Sequence, residues 1–393
     1  MDSLYATHQY LVEHLDLPIR RKLMDEIDWK DRLIGIKGSR GVGKTSFLLQ
    51  YAKENFGLWD KACLYINLNN FYFTVKTLKD FANEFQMHGG KVLLIDQIFK
   101  YPNWAEELAY CYDQFPKLKI IFAGSSVLRL KDEHSPLADK VVSYNLRGFS
   151  LREFLELQTG ETFDSYILND ILEHHTEITP TITSRVRPLA YVNDYCHHGF
   201  YPFHLEKRNF SENLLKTMNM MLEVDVLIAQ NNQIEQSYLP KLRKLLYMLS
   251  VTAPSSPNVS QLSLDIATSR ATVTNYIKYL RDARLINLLY PVDEEFPKKP
   301  AQIYLQNPNL LYATRMIDVP QQTLYETFFY NQVHKDYKVN MSPAHQFLVD
   351  GVHDFAVGNK IVGKFDPDAY YAISSIEEGE RKVIPLWLLG FLY

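Results

Sequence analysis

The stretch GSRGVGKT (38–45) decides the reading of this chain. It has the spacing G-x-x-x-x-G-K-[ST]. It lies between a strand-like apolar run, RLIGIKG (32–38), and a helix expected from about Lys44 to Asn55. That strand–loop–helix context is what a phosphate-binding loop requires. Gly38, Gly41 and Gly43 let the backbone curl until its N–H groups face inward. Together with the helix N-terminus they form an anion nest suited to the phosphates of ATP. Lys44 then reaches the β- and γ-phosphates, and the Thr45 hydroxyl is a ligand for Mg²⁺. Ser39, Val42 and Ser46 complete the cradle. Arg40 either touches phosphate or faces solvent.

Outward from the loop, strands and helices alternate. ACLYINL (62–68), KVLLI (91–95) and KLKIIFAG (117–124) read as strands, and TLKDFANEFQMHGG (77–90) and NWAEELAYCYDQF (103–115) as helices. The continuous apolar run of KVLLI suits a sheet buried on both faces. The alternation predicts an α/β core with a parallel sheet. Asp96 ends the third strand, where a carboxylate holds Mg²⁺, usually through water. Gln97 occupies the next position, where an acid normally polarises the attacking water. An amide cannot take that proton, though it can orient water, so hydrolysis is expected to be slowed. Ser125 and Ser126 end the fourth strand beside the expected γ-phosphate, either sensing it or making an ordinary turn.

The chain has 393 residues, enough for two or three domains at about 150 residues each. The 42 basic and 46 acidic residues exclude a histone-like coat of positive charge, and 46% apolar content excludes disorder over most of the length. Cys63, Cys111 and Cys196 follow no paired spacing, which argues against disulfides and a cysteine zinc site. The longest apolar stretch, LWLLGFLY (386–393), is too short to span a bilayer, and the N-terminus lacks a signal-peptide core. A cytoplasmic protein with no membrane partner is expected. Residues 4–28 read as mostly helical with a break at Pro18, and helical stretches are expected near 205–229 and 236–251.

Residues 258–291 read as two short helices joined by a tight turn, near 260–267 and 269–284, after the break TAPSSPN (252–258). Ser269 can cap the second helix, and Val273, Ile277 and Leu280 form its buried stripe. Arg270, Thr272, Asn275 and Lys278 lie toward the other side, where Asn and Arg can read bases and Lys can meet phosphate. Residues 241–300 carry a local excess of basic side chains in an acidic chain, which favours DNA. Packing against protein is the alternative.

Four segments, IGIKGSRGVGKTSFLLQYA (34–52), LLIDQIFKYPNW (93–104), FAGSSVLRL (122–130) and YNLRGFSLREFLEL (144–157), carry a family resemblance. They resemble the AAA-type ATPases of bacteria and archaea that bear an extra C-terminal domain of uncharacterised function. GFYPF (199–203), KPAQIYLQNPNLLYA (299–313), TLYETFFYNQV (323–333) and IPLWLLGFLY (384–393) are similar to its Bacteroidetes branch. The resemblance implies an AAA+ core over 1–160 and a helical region over 161–300 with a winged helix near 240–295. It implies a small α+β domain similar to the PD-(D/E)XK nucleases over 301–393. It implies homo-oligomers, a hexameric ring among them, in which a neighbour contributes an arginine. Gln97 departs from the family's usual Glu. Lys140 stands where an Arg normally precedes the 144–154 stretch, with Arg147 and Arg152 as substitutes.

The nuclease-like site would fall in FLVDGVHDFAVGNKIVGK (347–364). Asp350 and Gly351 are expected to make a hairpin turn, Asp354 to sit on the next strand, and IVGK (361–364) to return beside it. That register pairs Asp354 with Lys364 and puts Val362 where the motif needs an acid, with Glu326 as a further carboxylate. A fold that has lost its cleavage chemistry is the expectation. The overall expectation is an ATPase acting on DNA; the alternative is a nucleotide-dependent signalling or defence switch whose C-terminal domain binds a protein partner.

Overall fold

The computed structural model describes residues 1–393 except 127, 129, 131–134, 207–208, 230–237 and 316–317. The chain divides into two compact units, Met1–Arg147 and Gly148–Tyr393.

In the first unit, helices α1 (Asp2–Glu13) and α2 (Leu23–Glu26) precede strand β1 (Leu33–Gly38) and helix α3 (Lys44–Asn55). Then follow β2 (Cys63–Asn67), α4 (Leu78–Met87), β3 (Val92–Asp96), α5 (Trp104–Gln114), β4 (Lys119–Ser125) and β5 (Val142–Asn145). The strands form one parallel sheet in the order β2-β3-β4-β1-β5. Every residue of β3 is buried, as its unbroken apolar run requires. The expected α/β parallel-sheet core is therefore present. The N-terminal helix is shorter than expected, because 14–22 leaves the helical path. An edge strand offers unpaired backbone groups, and α1 covers the edge at β2. There His8 Nδ1 accepts the Tyr65 N–H at 3.0 Å, and the Tyr5 hydroxyl donates to the Lys61 carbonyl at 2.9 Å.

The second unit opens with helices α6 (Leu151–Thr159), α7 (Leu168–Thr183), α8 (Leu189–Asp194), α9 (Phe210–Met220) and α10 (Val226–Ala229). Residues 207–208, within the helical stretch expected near 205–229, lie outside the described residues, as do 236–237 at the start of the next one. Helices α11 (Leu239–Thr252), α12 (Val259–Asp265) and α13 (Arg270–Asp282) lead into an antiparallel strand pair, β6 (Ile286–Leu289) and β7 (Gln302–Leu305). After α14 (Pro308–Thr314) and α15 (Gln321–Val333) come β8 (Val339–Met341), β9 (Phe347–Val349), β10 (His353–Gly358), β11 (Tyr370–Ile373) and β12 (Val383–Pro385). These five make a mixed sheet in the order β12-β11-β10-β9-β8. The first three strands are antiparallel neighbours, and β11 and β12 join in parallel. The apolar tail 386–393 is buried throughout in this unit.

One expectation fails here. Residues 361–364 form no strand and are exposed, with Val362 at 82%. The side of β10 that they were to pair with is held by β11, where Phe355 faces Tyr370 and Ala356 faces Tyr371. Tyr371, Ala372 and Ile373 are buried, whereas 361–364 has a glycine at φ +85° and leaves Ile361 and Val362 exposed. Burial of apolar surface decides which segment takes the edge. Asp354 lies opposite Leu348 of β9, and Lys364 is not its cross-strand partner.

Candidate nucleotide-binding site

The loop after β1 is built as its glycines predict. Gly41 and Gly43 adopt φ +80° and +91°, a region that side chains disfavour. A β-carbon on Gly38 would lie 2.5 Å from the Leu146 carbonyl oxygen, so the loop and the end of β5 approach each other backbone to backbone. Gly43 is the N-cap of α3, which aims the first N–H groups of the helix into the loop. The Lys44 ammonium donates to the carbonyls of Gly38 and Ser39 at 2.9 and 2.7 Å. Arg40 lies over the Phe99 ring, 5.4 Å from its centroid. Val42 is fully buried and anchors the loop, while Ser39 and Ser46 are half-buried.

Three donors converge on the carboxylate of Asp96. The Thr45 hydroxyl donates to Oδ2 at 2.6 Å, the Tyr65 hydroxyl to the same atom at 3.0 Å, and the Gln97 N–H to Oδ1 at 2.8 Å. Burial and the adjacent Asp96 push the Tyr65 hydroxyl up, so it remains a donor. Gln97 itself sits at φ +58°, a conformation that costs a non-glycine residue about 1–3 kcal/mol and persists where surrounding structure imposes it. Its carboxamide makes no hydrogen bond among the described residues. Ser125 closes β4 directly beside Gly38 in the register. The oxygens of Thr45 and Asp96 fit Mg²⁺, a hard cation that prefers oxygen ligands.

Two residues of this site escaped the sequence reading. Tyr65 is the first. Arg21 is the second: it is 8% exposed, and its guanidinium donates to the Val42 carbonyl at 3.1 Å and the Arg147 carbonyl at 2.6 Å. It thereby fastens the phosphate loop to the segment that follows β5. An arginine before a short helix carries no signal for either contact.

The other expected residues are placed as follows. Arg147 directly follows β5, on the same edge of the sheet as the loop. Lys140 precedes β5 and pairs with Asp113 at 2.9 Å. Arg152 does not reach outward. It is 4% exposed, and its guanidinium donates to Glu156 at 2.7 Å and the Tyr393 carbonyl at 3.1 Å inside the second unit. On α13, Ser269 caps the helix as expected, but Thr272 is taken up in that cap, its N–H and hydroxyl both bonded to the Ser269 hydroxyl. Arg270 and Asn275 are exposed. The Lys278 ammonium lies 5.4 Å from the centroid of the Phe296 ring, with Arg281 at 5.6 Å from the same centroid.

Asp350 and Gly351, at φ +52° and +71°, form the turn between β9 and β10, as the Asp-Gly pair predicts. Asp350 Oδ1 accepts the Lys338 N–H at 2.8 Å. Glu326 lies near the opposite, open end of that hairpin, beside Gln322, whose amide donates to the Val357 carbonyl. Asp354 Oδ1 is buried with no hydrogen bond, and Lys364 is exposed. The acids expected to gather do not do so. Among the described residues no group of three or more His, Cys, Asp or Glu could hold a metal ion. Cys63, Cys111 and Cys196 are buried free thiols, and no described helix is long and apolar enough to cross a membrane.

Residues 30–155 match the family of the AAA domain, and residues 189–320 match a domain of unknown function (DUF8612). The first match takes in the phosphate loop and Asp96, so the chain carries an AAA-type ATPase domain. No curated protein matches the chain. The solved structure of the Aeropyrum pernix Orc1 protein in complex with DNA is similar over 79% of this chain and 91% of its own, at 10% identity and a TM-score of 0.33. PCH-2 of C. elegans is similar over 72% of this chain and 66% of its own, at 14% identity and a TM-score of 0.25. Likenesses this low carry no argument about what the chain does.

Proposed function

We propose that the chain is an ATP-dependent AAA+ protein that acts on DNA, its nucleotide state coupled to DNA binding or remodelling. The observation that carries the ATPase part is the meeting of Thr45 and Asp96, 2.6 Å apart, beside the Gly43–Lys44 turn. Thr45 and Asp96 would hold Mg²⁺, which neutralises charge between the phosphates when bound. Lys44 would leave the Gly38 and Ser39 carbonyls to meet the β- and γ-phosphates. Gln97 would orient water without accepting its proton, Ser125 would face the terminal phosphate, and turnover would be slow. Arg147 and Lys140 are the candidates to meet a neighbour's nucleotide in a homo-oligomeric ring; Arg152, being buried, is not.

The domain scheme we propose is a core over 1–160, a helical region over 161–300 and a C-terminal domain over 301–393. Helices α11 to α13 with the β6–β7 pair supply the parts of a winged helix, three helices and a β-hairpin. Arg270 and Asn275 are its candidate base readers and Lys278 a phosphate contact. For the C-terminal domain we propose a nuclease-like frame without cleavage chemistry, a reading supported by α15 and the antiparallel β8–β10 that follows it.

A second reading has an observation of its own. Lys278 and Arg281 fold onto Phe296, and Thr272 is used in the cap, so α13 offers few side chains to a groove. That favours a nucleotide-dependent signalling or defence switch in which this module packs on protein. Titration of labelled duplex DNA with Mg-ATP at 50 and 200 mM salt separates the two. A fall in affinity of at least about tenfold supports DNA, because phosphate contacts release counterions. Absence of binding at the lower salt supports the switch.

A further inference from the structure

The second unit holds a cavity of about 470 Å³ at the open end of the β9–β10 hairpin. Gln302 at the start of β7, Gln322 and Glu326 on α15, Gln346 before β9, and Ala356 and Gly358 on β10 are among its lining residues. Here Glu326, an acid expected at a nuclease-like centre, meets an accessible space. The chemistry that surrounds the acid is different from that of a metal centre.

The hydrogen bonds around Glu326 bear on its protonation. The Tyr304 oxygen lies 2.5 Å from Gln302 Oε1 and 2.9 Å from Glu326 Oε2. A phenol has one proton. With the Gln302 carboxamide oxygen toward Tyr304, an ionised Glu326 would leave one hydroxyl facing two acceptors, of which it could satisfy one. The arrangement closes when Glu326 is a neutral carboxylic acid: its O–H donates to the Tyr304 oxygen, and the Tyr304 hydroxyl donates to Gln302 Oε1. The other carboxyl oxygen, Oε1, accepts the Gln322 amide at 2.7 Å. Burial pushes the Glu326 carboxyl up, while the hydrogen bonds from Gln322 and Tyr304 pull it down by less. Glu326 is shared with Tyr304 and Gln322, no second carboxylate lines the cavity, and a lone carboxyl of this kind does not fit a nuclease metal.

Lys360 and His345 also line the cavity, and the three carboxamides fit the uncharged edge of a polar molecule. Gln322 donates to Glu326 and to the Val357 carbonyl, leaving its oxygen. Gln346 Oε1 accepts the Val357 N–H at 3.1 Å, leaving its NH₂ group, and Gln302 keeps its NH₂ group as well. Two donors and one acceptor thus remain on three cavity-lining carboxamides. Ala356 and Gly358 keep the strand wall low. Carboxamides at fixed positions match the planar donor–acceptor edge of a nucleobase, and the volume lies in the range of small-ligand pockets. We infer that this cavity binds a nucleobase-bearing small molecule through its uncharged edge, and does not bind a divalent cation.

The test uses the full chain with its phosphate loop saturated by Mg-ADP, so that nucleosides cannot enter there. Adenosine, guanosine, cytidine and uridine are titrated by calorimetry and by ligand-observed NMR. At least one should bind. Ala356→Phe fills the cavity while removing no hydrogen bond, and it should weaken that binding at least about tenfold, the scale of a blocked pocket contact. Glu326→Gln stays neutral, can donate to Tyr304 and accept from Gln322, and should hold affinity within about threefold. The inference is overturned if none of the four binds, or if Ala356→Phe binds as tightly as the parent. It is equally overturned if Mn²⁺ occupies a site in the ADP-saturated chain that Glu326→Gln abolishes.

Discussion

Each unit of this protein buries one carboxyl against a tyrosine hydroxyl, and the two carboxyls are in opposite situations. Asp96 is 1% exposed and Glu326 6%; their tyrosines stand at 3.0 and 2.9 Å. Asp96 also receives the Thr45 hydroxyl and the Gln97 N–H, so three donors satisfy an anion. Glu326 has one clear donor, Gln322, and shares its tyrosine with Gln302. For Glu326 burial is what raises the carboxyl, against the hydrogen bonds from Gln322 and Tyr304 that pull it down. One site is thereby suited to a cation and phosphates and the other to an uncharged ligand.

The largest effect that can break this contrast is at Asp96. Asp96→Asn keeps shape and removes the negative charge, and it should lower ATP hydrolysis on the order of 10²–10³-fold, the cost of losing a charge aimed at the reacting phosphates. A steady-state phosphate-release assay checks it. An unchanged rate would mean that the three donors hold a merely structural acid. Next in size is Gln97→Glu, which should raise turnover by about 10²-fold if the position carries the base. Equal rates for the two chains would move the base elsewhere.

Arg21→Met tests the frame around the first site. It leaves the Val42 and Arg147 carbonyls without their donor, at about 1–3 kcal/mol for each buried group. Calorimetry should show the loss in the first unit, accompanied by weaker binding of a fluorescent ATP analogue. A normal melting temperature would show that the loop holds itself.

These residues also mark how far the sequence was legible. The loop could be read because its glycines, Lys44 and Thr45 fall within eight consecutive positions. The parallel sheet could be read because burial on both faces writes itself as an apolar run. Arg21 and Tyr65 could not, since their targets lie 21 and 31 residues away, and 126 in the case of Arg147. The 361–364 error has the same root. A turn at Gly358–Lys360 is a local signal, but the partner of β10 was decided by Tyr370–Ile373 from outside that window. Thr272 was misjudged because a residue three positions after an N-cap serves that cap before it serves a surface.

Acid exposes a smaller difference between the units. Burial lowers the imidazole of His8 in the first unit, and of His175, His198, His204 and His353 in the second. A histidine depressed in the folded state binds its proton more readily when unfolded. The stability it contributes is complete above the ordinary value of 6.5 and is lost as pH falls through the folded value. Scanning calorimetry between pH 7.5 and 5.5 should shift the transition of the second unit more than that of the first. Equal shifts would assign the acid sensitivity to something other than these histidines.

The smallest expected effect is the sharpest test of the contrast. Glu326→Gln replaces a carboxyl with an amide of the same shape, and if the acid is neutral the exchange keeps every hydrogen bond in place. The new NH₂ donates to Tyr304 where the acid O–H did, and the new carbonyl accepts from Gln322. Below about pH 4.5, where the acid keeps its proton in both states, the melting temperature should then move by no more than about 1 kcal/mol equivalent, the size of one net hydrogen bond. Glu326 also has a raised folded value, so the stability it adds is present below the ordinary carboxyl value of 4.5 and is lost as pH rises through the folded value. The variant cannot titrate. Its stability relative to the parent should therefore be constant below about 4.5, improve as pH rises from there to the folded value of Glu326, and level off above it. A variant that is clearly less stable at neutral pH, and less so in acid, would mean that Glu326 is an anion in the fold and that its surroundings resemble those of Asp96 after all.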